Sequence, residues 1–527
     1  MVYNGIPSAF KERGNRIQRG NPKWRVKLLP RSIEGPKRYY EFGSETKLIQ
    51  FDAILEVSSN VYMSNIVSTL DVSLVPIEDW LSSESSMRLV VGDYVEVESF
   101  DLEGKWVPVF AGTISRVARV KDVESREGAP ALVRSVRMTC KGLGAVWENT
   151  SLQFQSFGID TKGRDLSKLT VIQAIAAVND ISVSQALKDS KLPKYDVNTL
   201  IKTLAKGLLK VSINFGNGVE PRPFKVNKDN WYYGESLYDR ILVETSDAGG
   251  FLFGDESDFG IRGQVLSNQF LQASGTPWSA LSQYVFGLTD ELYMDWVFQN
   301  EEWVPALVMK RRPYSVESMA KLLRAYPYTG YTENFSEVFG STDPDTWPTD
   351  QGITVISSED IIDEDIGFSE DDVQNTIWLM PEDSLFPKSF LPWLYKKVAI
   401  HEESIAQFGF RILTGNVPYR IPGDPVGTKD LMLELATELL RWYCRADLFA
   451  SGTITVAQRP GARIGTPLYI TDRNEVFYIE GVSQNWRTKQ KHLTTFNVVR
   501  GHRIAEANSP EALYAVGQYD LEPTEIT

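Results

Sequence analysis

The residues most able to carry acid–base or metal chemistry are few in this 527-residue chain. It contains three histidines, His401, His492 and His502. His401 opens the segment HEES, which lacks the second histidine of a zinc-protease helix. His492 lies on a predicted strand whose related strand has no histidine, and His502 follows the glycine that ends that strand. The histidines therefore predict no metal site and no catalytic site.

Motifs for nucleophilic catalysis and phosphate binding are missing from the sequence. It has no G-x-S-x-G elbow, no GxxxxGK[ST] phosphate loop and no CxxC pair. The two cysteines, Cys140 and Cys444, lie in the apolar contexts RMTCKG and RWYCRA. Two cysteines cannot form a zinc site alone, and we predict two buried free thiols rather than a disulfide.

Carboxylates are abundant, but their surroundings do not indicate a site. The tract SSEDIIDEDIGFSEDD has no aromatic platform for a sugar beside it, so its acids predict a charged surface rather than the carboxylate pair of a glycosidase. FGDESDFG and STDPDTWPTD group oxygen ligands without the spaced loop and terminal Glu of a calcium site. We expect a protein that is not an enzyme, with no catalytic residue, cofactor or metal.

Charge is distributed unevenly along the chain. The net charge is −14, with 55 basic and 69 acidic residues, which argues against broad binding to duplex DNA. Residues 1–40 carry ten Lys and Arg against two acids, whereas residues 341–387 carry thirteen acids and no Lys or Arg. This pattern favours docking to charged partners, or of one segment to the other in an oligomer; a solvated tail and a solvated loop are the alternative.

The elements that would position these residues are mostly strands. Between about 45 and 150 apolar and polar residues alternate, which predicts an antiparallel barrel or sandwich. From 151 the spacing becomes helical in TVIQAIAAVND, DVNTLIKTLAKGLLK and ESLYDRILVETSDAGG, and then mixed. DLMLELATELLRWYCRADLF is the clearest helix. No run of apolar residues is long enough for a signal peptide or a membrane span, so we expect a protein kept in a cytoplasm, without membrane insertion.

Two parts of the chain resemble each other in three consecutive segments. LVVGDYVEV (89–97) is similar to RIGTPLYI (463–470), WVPVFAGTISRV (106–117) to EVFYIEGVSQNW (475–486), and VRSVRMTCKG (133–142) to HLTTFNVVRG (492–501). Six glycines keep their order in these segments: Gly92, Gly112 and Gly142 in the first part, and Gly465, Gly481 and Gly501 in the second. Since glycine within a strand marks a bulge or bend, we predict a duplicated β-barrel whose bends these glycines form.

The last third of the chain resembles the end of baseplate hub proteins of long-tailed bacteriophages, the family that includes late control protein D. The likeness rests on Ser404, Ile405 and Gly409 before the long helix, on Arg459 and Pro460 after a strand, and on the strand segment 478–483. VVGDYVEV and VFAGTISRVAR are similar to the first tube domain of that family, and the likeness spans about 45–505. The basic residues before 40 and the acidic loop near 350 depart from it.

The resemblance implies a β-rich α+β fold with two related antiparallel, tube-type β-barrels and a mixed α/β middle region. The expected divisions are a basic arm (1–44), a first barrel (45–150), a middle domain (151–340), an acidic loop or linker (341–390), a second barrel with the long helix (391–505) and a tail (506–527). It also implies a homotrimer, in which six similar barrels form a ring that matches a hexameric tail tube to a trimeric spike.

The function implied is that of a structural virion protein, the central hub of a tail baseplate assembled in the host cytoplasm. Its expected partners are further copies of itself, the tail tube protein, the central spike protein, and other baseplate and tape-measure proteins. A conduit lined by acids would let DNA pass without specific binding. Two alternatives stay open, a tail-associated cell-wall hydrolase and the hub of a contractile injection system.

Overall fold

The structure is a computed structural model, and it describes the chain in parts. The described residues are 23–29, 40–42, 54–75, 89–101, 105–126, 129–149, 242–245, 276–282, 287–288, 290–299, 302–311, 354–381, 398–417, 432–433, 435–437, 439–440, 442–473, 475–488 and 490–503. The helices predicted within 170–180, 196–210 and 315–326, most of the basic arm and the 506–527 tail lie outside these residues.

Strands dominate the described residues. In chain order they are β1 Trp24–Leu29, β2 Tyr40–Phe42, β3 Ile54–Tyr62, β4 Asn65–Leu74, β5 Tyr94–Phe100, β6 Trp106–Arg126, β7 Ala129–Gly142, β8 Leu242–Thr245, β9 Asp290–Gln299, β10 Glu302–Arg311, β11 Thr354–Ile356, β12 Ile361–Gly367, β13 Thr376–Pro381, β14 Ala399–Ile400, β15 Ile412–Val417, β16 Ala450–Ala457, β17 Pro467–Ile470, β18 Glu475–Arg487 and β19 Leu493–Arg503.

Helices are short or partly described. They are α1 Ala145–Asn149, α2 Pro277–Ser282 and α3 Glu402–Phe408, with 3-10 turns at Ser358–Asp360 and Ala446–Leu448. The described residues between 432 and 443 are also helical, as the pattern of DLMLELATELLRWYCRADLF predicts. This 432–443 helix buries Leu435, Ala436, Leu439 and Leu440, the apolar side of that pattern. Chains rich in strands with few helices belong to the β-rich α+β class, and this prediction is confirmed.

One large sheet contains most of the strands. Its order is β12-β16-β19-β18-β3-β4-β7-β6-β5-β1-β2, and β17 pairs with both β18 and β11. The neighbours along this path pair antiparallel, whereas β11 runs parallel to β17. Two smaller sheets have the orders β8-β10-β9 and β14-β13-β15.

The large sheet buries two hydrophobic clusters, one for each part of the sequence repeat. The first contains Trp24, Val57, Val97 and Phe110 from strands β1 to β6. The second includes residues from β9, β10, β11 and β16 to β19. Each cluster forms because alternate side chains of a strand point to the same face, so apolar residues at every second position reach one core.

The β9–β10 hairpin of the middle region packs onto the second cluster. Tyr293 and Val308 belong to that cluster, and the Ile464 N–H donates to the Asp295 carboxylate at 2.9 Å. Burial raises the pKa of the Asp295 carboxyl to about 6, against the opposing effect of Arg463. The Arg463 guanidinium lies 4.5 Å from the centre of the Trp303 ring. Polar as well as apolar contacts therefore fasten this hairpin to the second half of the sheet.

The described strands do not close into two separate barrels, so the expected barrel shape is corrected. The reason is the antiparallel pairing of β18 with β3, which joins both parts of the repeat into one continuous sheet. Alternating hydrophobicity specifies which face of a strand is buried but not which strand lies beside it. The same sequence pattern serves a closed barrel and a strand that continues into a neighbouring unit.

Two further expectations differ from the structure. Leu242–Thr245, inside the segment with helical spacing, is a strand that runs parallel to β10, because pairing with a neighbouring strand outweighs weak local propensity. The loop expected over 341–390 is wrong for residues 354–381, which contain β11, β12 and β13. The sequence of β12 lacks an apolar–polar alternation because most of that strand is exposed. No helix among the described residues is long and apolar enough to cross a membrane.

Candidate functional site: two related sheet halves and their junction

The large sheet contains the same five-strand arrangement twice. In the first half the spatial order is β3-β4-β7-β6-β5, and in the second half it is β12-β16-β19-β18-β17. In both sets the chain forms the first and second strands of the spatial order, then the fifth, the fourth and the third. The second half differs by an insertion between its first two strands, which holds the β13–β15 sheet, α3 and the 432–443 helix.

Matching backbone hydrogen bonds fix which residues correspond. The Gly92 N–H donates to the Ile114 carbonyl and the Gly465 N–H to the Ile479 carbonyl, each at 2.7 Å. Gly92 has φ of 94° and Gly465 has φ of 72°, a region that favours glycine. Gly92 and Gly465 therefore turn the chain into equivalent strands, and Ile114 is equivalent to Ile479.

Bulges occur at equivalent places in both halves. The register between β6 and β7 shifts between Ile114 and Arg116, and the register between β18 and β19 shifts between Ile479 and Gly481. A bulge bends its strand and increases the local twist. A second equivalent shift lies near the start of the first strand of each half, between Ile54 and Glu56 in β3 and between Ile361 and Asp363 in β12.

The glycines inside the strands correspond less simply than the sequence alignment suggests. Counting from Ile114 and Ile479, Gly112 is equivalent to Phe477, and Gly481 is equivalent to Arg116. The sequence alignment of Gly112 with Gly481 is thus displaced by four residues, because a different contact excludes a Cβ at each glycine, the Lys141 backbone at Gly112 and the Tyr62 ring at Gly481. Gly112 lies opposite Gly142 in the first half, and a Cβ on Gly501 would overlap the Phe477 ring in the second.

The junction between the halves is a seven-residue antiparallel pairing of β18 with β3. It runs from Gly481 opposite Tyr62 to Arg487 opposite Glu56. Directly opposite residues contact each other, as Ser58 Oγ donates to Asn485 Oδ1 at 2.7 Å. Trp486, opposite Val57, packs against the first cluster, and its ring centre lies 6.1 Å from that of Trp24.

A buried polar network surrounds Gln484, one of the β18 residues that pair with β3. Gln484 Oε1 accepts from the Thr494 hydroxyl at 2.7 Å and lies 2.7 Å from His492 Nε2, while Gln484 Nε2 donates to the Arg459 carbonyl at 2.9 Å. The Arg459 guanidinium forms a buried ion pair with Asp360 at 3.1 Å. Sequence reasoning missed this network, because nothing in QNW or QRP indicates that these polar side chains face inward.

His401 and His492 are buried and His502 is half-buried, and all three are held by hydrogen bonds within the fold. Because the partner of His492 Nε2 is an amide oxygen, this nitrogen carries the proton, and burial lowers the pKa of the imidazole to about 3. His492 Nδ1 has no hydrogen-bond partner within the described part of the chain. Burial likewise lowers the pKa of His502 to about 4. His401 Nδ1 caps α3 by accepting from the Ser404 N–H at 3.1 Å, and burial lowers its pKa.

The cysteines are both buried and free, as predicted. Burial raises the pKa of both thiols, to about 12 for Cys444. Within the described ranges, no group of three or more His, Cys, Asp or Glu residues is placed to hold a metal ion.

Two strand edges carry charge of opposite sign. In β6, the residues beyond the β5 pairing include Arg116, Arg119 and Lys121, all exposed, and no described strand pairs along this side. At the other end of the sheet, β12 pairs with β16 alone among the described strands. It presents exposed Asp363, Glu364 and Asp365.

Comparison with known proteins gives solved structures only. No protein-family model and no curated protein sequence matches the chain. The 43 kDa tail protein of prophage MuSo2 from Shewanella oneidensis aligns with a TM-score of 0.42 at 11% identity, over 91% of this chain and 98% of that one. A tail protein from Neisseria meningitidis aligns with a TM-score of 0.40 at 12% identity, over 91% and 97%.

A type VI secretion component from E. coli is a further structural neighbour. It aligns with a TM-score of 0.32 at 8% identity, over 91% of this chain and 77% of that one. That protein is described as structurally similar to T4 bacteriophage tail proteins. The structural neighbours are thus tail proteins of phage and a component of a secretion system.

Proposed function

We propose that this chain is a structural component of a phage tail, the central hub of its baseplate. The observation that carries the proposal is the five-strand arrangement, present twice in one polypeptide with matching turns and matching bulges. Because each chain contains two copies of one unit, an oligomer of this chain presents two similar docking surfaces for every subunit. This property suits a joint between assemblies of different symmetry.

The symmetry argument gives the hub its specific role. A homotrimer of this chain would present six similar units around one axis, which match a hexameric tail tube on one side. Features that occur once per chain, such as the β9–β10 hairpin and the β13–β15 insertion, would repeat three times and match a trimeric spike on the other side. The proposed partners are accordingly the tube protein, the spike protein, and the neighbouring baseplate and tape-measure proteins, within the virion.

The proposal is tested by cryo-electron microscopy of the purified chain and of tails that contain it. We expect three copies in a ring, with six five-strand units around the axis and the tube stacked on them. A chain that stays monomeric, or that is absent from intact tails, would refute the hub. If the channel through the ring is lined by Lys and Arg, the idea of an acid-lined DNA conduit fails while the hub stands.

An injection-system hub would share this architecture and differ only in what travels through the ring. The test is whether the assembled particles contain genomic DNA. The hydrolase alternative predicts that purified protein digests peptidoglycan and that substitution of a carboxylate pair abolishes the digestion. Digestion by the purified chain would overturn the assignment of a non-enzymatic role.

A further inference from the structure

The junction inside the chain supplies a template for contacts between chains. β18 binds β3 through Gly481–Arg487 and Glu56–Tyr62. The equivalent of the β18 segment in the first half is residues 116–122 of β6, whose outer side no described strand covers. The equivalent of Glu56–Asn60 in the second half is residues 363–367 of β12, whose outer side is likewise uncovered by the described strands. Each half therefore has one edge like that of β18 and one edge like that of β3. Within the chain β18 pairs with β3, and the equivalent edges of β6 and β12 have no partner among the described strands.

We propose that residues 118–122 of β6 in one copy pair antiparallel with residues 363–367 of β12 in a second copy. This inference rests on the proposed self-assembly and names the surfaces that perform it. Transferring the internal register places Ala118 opposite Gly367, Val120 opposite Asp365 and Lys121 opposite Glu364. The large sheet would thereby continue from one chain into the next.

The charges on the two edges select this pairing. Lys121 takes the place of Trp486, and Glu364 takes the place of Val57, so Lys121 would join the existing Arg473–Glu364 ion pair where the internal junction has an apolar contact. Arg119 follows on the same face, diagonal to Glu364. Arg116, Arg119 and Lys121 outnumber Asp122 along the β6 edge, whereas β12 carries three consecutive acids, so the net charges of the two edges are opposite and favour β6 with β12 even though Asp122 would lie opposite Asp363. The contact is therefore head to tail, the kind that closes into a ring.

Exposed hydrophobic side chains lie at the same edges. Val91 is 59% exposed in the turn that bonds to Ile114 near the start of the β6 edge, and Phe368 is 69% exposed just after β12. In the transferred register Phe368 corresponds to Val61. Val61 packs against the second cluster, which contains Ile464, the equivalent of Val91. By this correspondence, Phe368 of one copy would lie on the side of the pairing that holds Val91 of the next.

A cysteine pair tests the proposed register directly. Residues directly opposite in an antiparallel pair have Cβ atoms about 4.5–5.5 Å apart, close to disulfide reach, whereas diagonal residues lie about 7–8 Å apart. Full-length protein with Val120→Cys and Asp365→Cys should form covalent oligomers on oxidation, seen on non-reducing gels and ending at three copies if the ring closes. Val120→Cys with Gly367→Cys, two residues out of register, is the matched control and should form few. The native thiols are buried and contribute little background.

Phe368→Ser provides a second test that does not depend on disulfide geometry. We expect it to weaken self-association roughly tenfold in analytical ultracentrifugation, the order of effect of losing one buried aromatic contact. Phe410→Ser is the matched control, since Phe410 is 65% exposed, next to Arg411 and outside both pairing segments, and it should leave association unchanged. Circular dichroism confirms that both variants fold.

The outcomes separate this inference from the proposed function. Covalent oligomers from the in-register pair, with loss of association in Phe368→Ser alone, support edge pairing. Oligomers that persist while the in-register pair stays uncrosslinked, or that weaken equally in both Phe variants, overturn edge pairing and leave the hub proposal standing. A wild-type chain that stays monomeric both in solution and in tails overturns both.

Discussion

Replacing His492 with glutamine should change the pH dependence of stability by a calculable amount. Neutral His492 places its Nε2 proton toward Gln484 Oε1, and its Nδ1 has no partner among the described residues. Protonation would put a positive charge on a buried ring with no acceptor for the added proton. Glutamine can donate to the same oxygen without titrating, so His492→Gln removes the titration and keeps a donor.

The sign and size of the change in unfolding free energy with pH follow from the pKa of His492 in the folded and in the unfolded chain. The pKa of His492 is lowered from 6.5 to about 3 in the folded chain, so between these values the unfolded chain binds a proton that the folded chain does not. Stability from this group is fully present above pH 6.5 and is lost as the pH falls toward 3. At 1.36 kcal/mol per pH unit, acidification from pH 7 to pH 5 should cost about 2 kcal/mol.

The assay is urea unfolding followed by tryptophan fluorescence at pH 7, 6 and 5. The free energy of unfolding of the wild type minus that of His492→Gln should fall by about 2 kcal/mol between pH 7 and pH 5. Taking this difference cancels other titrations, including that of Asp295, whose raised pKa acts in the opposite direction. A difference that stays constant with pH would refute the argument that His492 is neutral and buried in the folded chain.

Three further predictions concern packing and burial. Gly481→Ala should lower the free energy of unfolding by about 1–3 kcal/mol, because its Cβ would lie 2.5 Å from the Tyr62 ring. Gly287→Ala is the control, since a Cβ there meets nothing within 4 Å, and it should change the free energy of unfolding by less than about 0.5 kcal/mol. Equal effects of the two variants in denaturant titrations would contradict this reasoning. Asp360→Asn should lower the free energy of unfolding by about 3–5 kcal/mol, because it leaves the buried Arg459 charge without its carboxylate partner. Arg473→Gln, at the exposed pair with Glu364, should lower it by about 1 kcal/mol or less. Similar decreases in the two variants would argue against burial as the cause. Cys140 and Cys444 should resist an aromatic disulfide reagent in native protein at pH 8 and both react in denaturant, since burial raises their thiol pKa values; rapid labelling of the native chain would count against their burial.

The repeat shows how far sequence reasoning could reach. Gly92 and Gly465 both have positive φ before equivalent strands, and positive φ restricts the residue type, so a turn of this kind leaves a mark in the sequence. The sequence pattern aligns Gly112 with Gly481, whereas the backbone hydrogen bonds make Gly112 equivalent to Phe477, four residues earlier than Gly481. A bulge adds a residue to one strand without requiring a particular side chain, so equivalent bulges at Ser115 and Glu480 share no residue type.

The sequence by itself determined the class of the fold. Alternating apolar residues specify strands with one buried face, the pattern at 430–449 specifies an amphipathic helix, and the apolar surroundings of Cys140 and Cys444 specify buried thiols. These features depend on the local spacing of residue types, which the amino-acid sequence contains directly. They also established that the chain contains a repeat.

Only the tertiary structure decided how the two halves meet and which edges they leave open. β3 and β18 are separated by more than 400 residues, and their pairing depends on backbone groups that every residue carries, so composition cannot identify the partner strand. The acids of β12 predict a loop from the sequence because β12, at an edge of the sheet among the described strands, exposes charged residues on both faces. Strand pairing depends on position in space, and for this reason the edges that the described strands leave unpaired can be identified only in the folded chain.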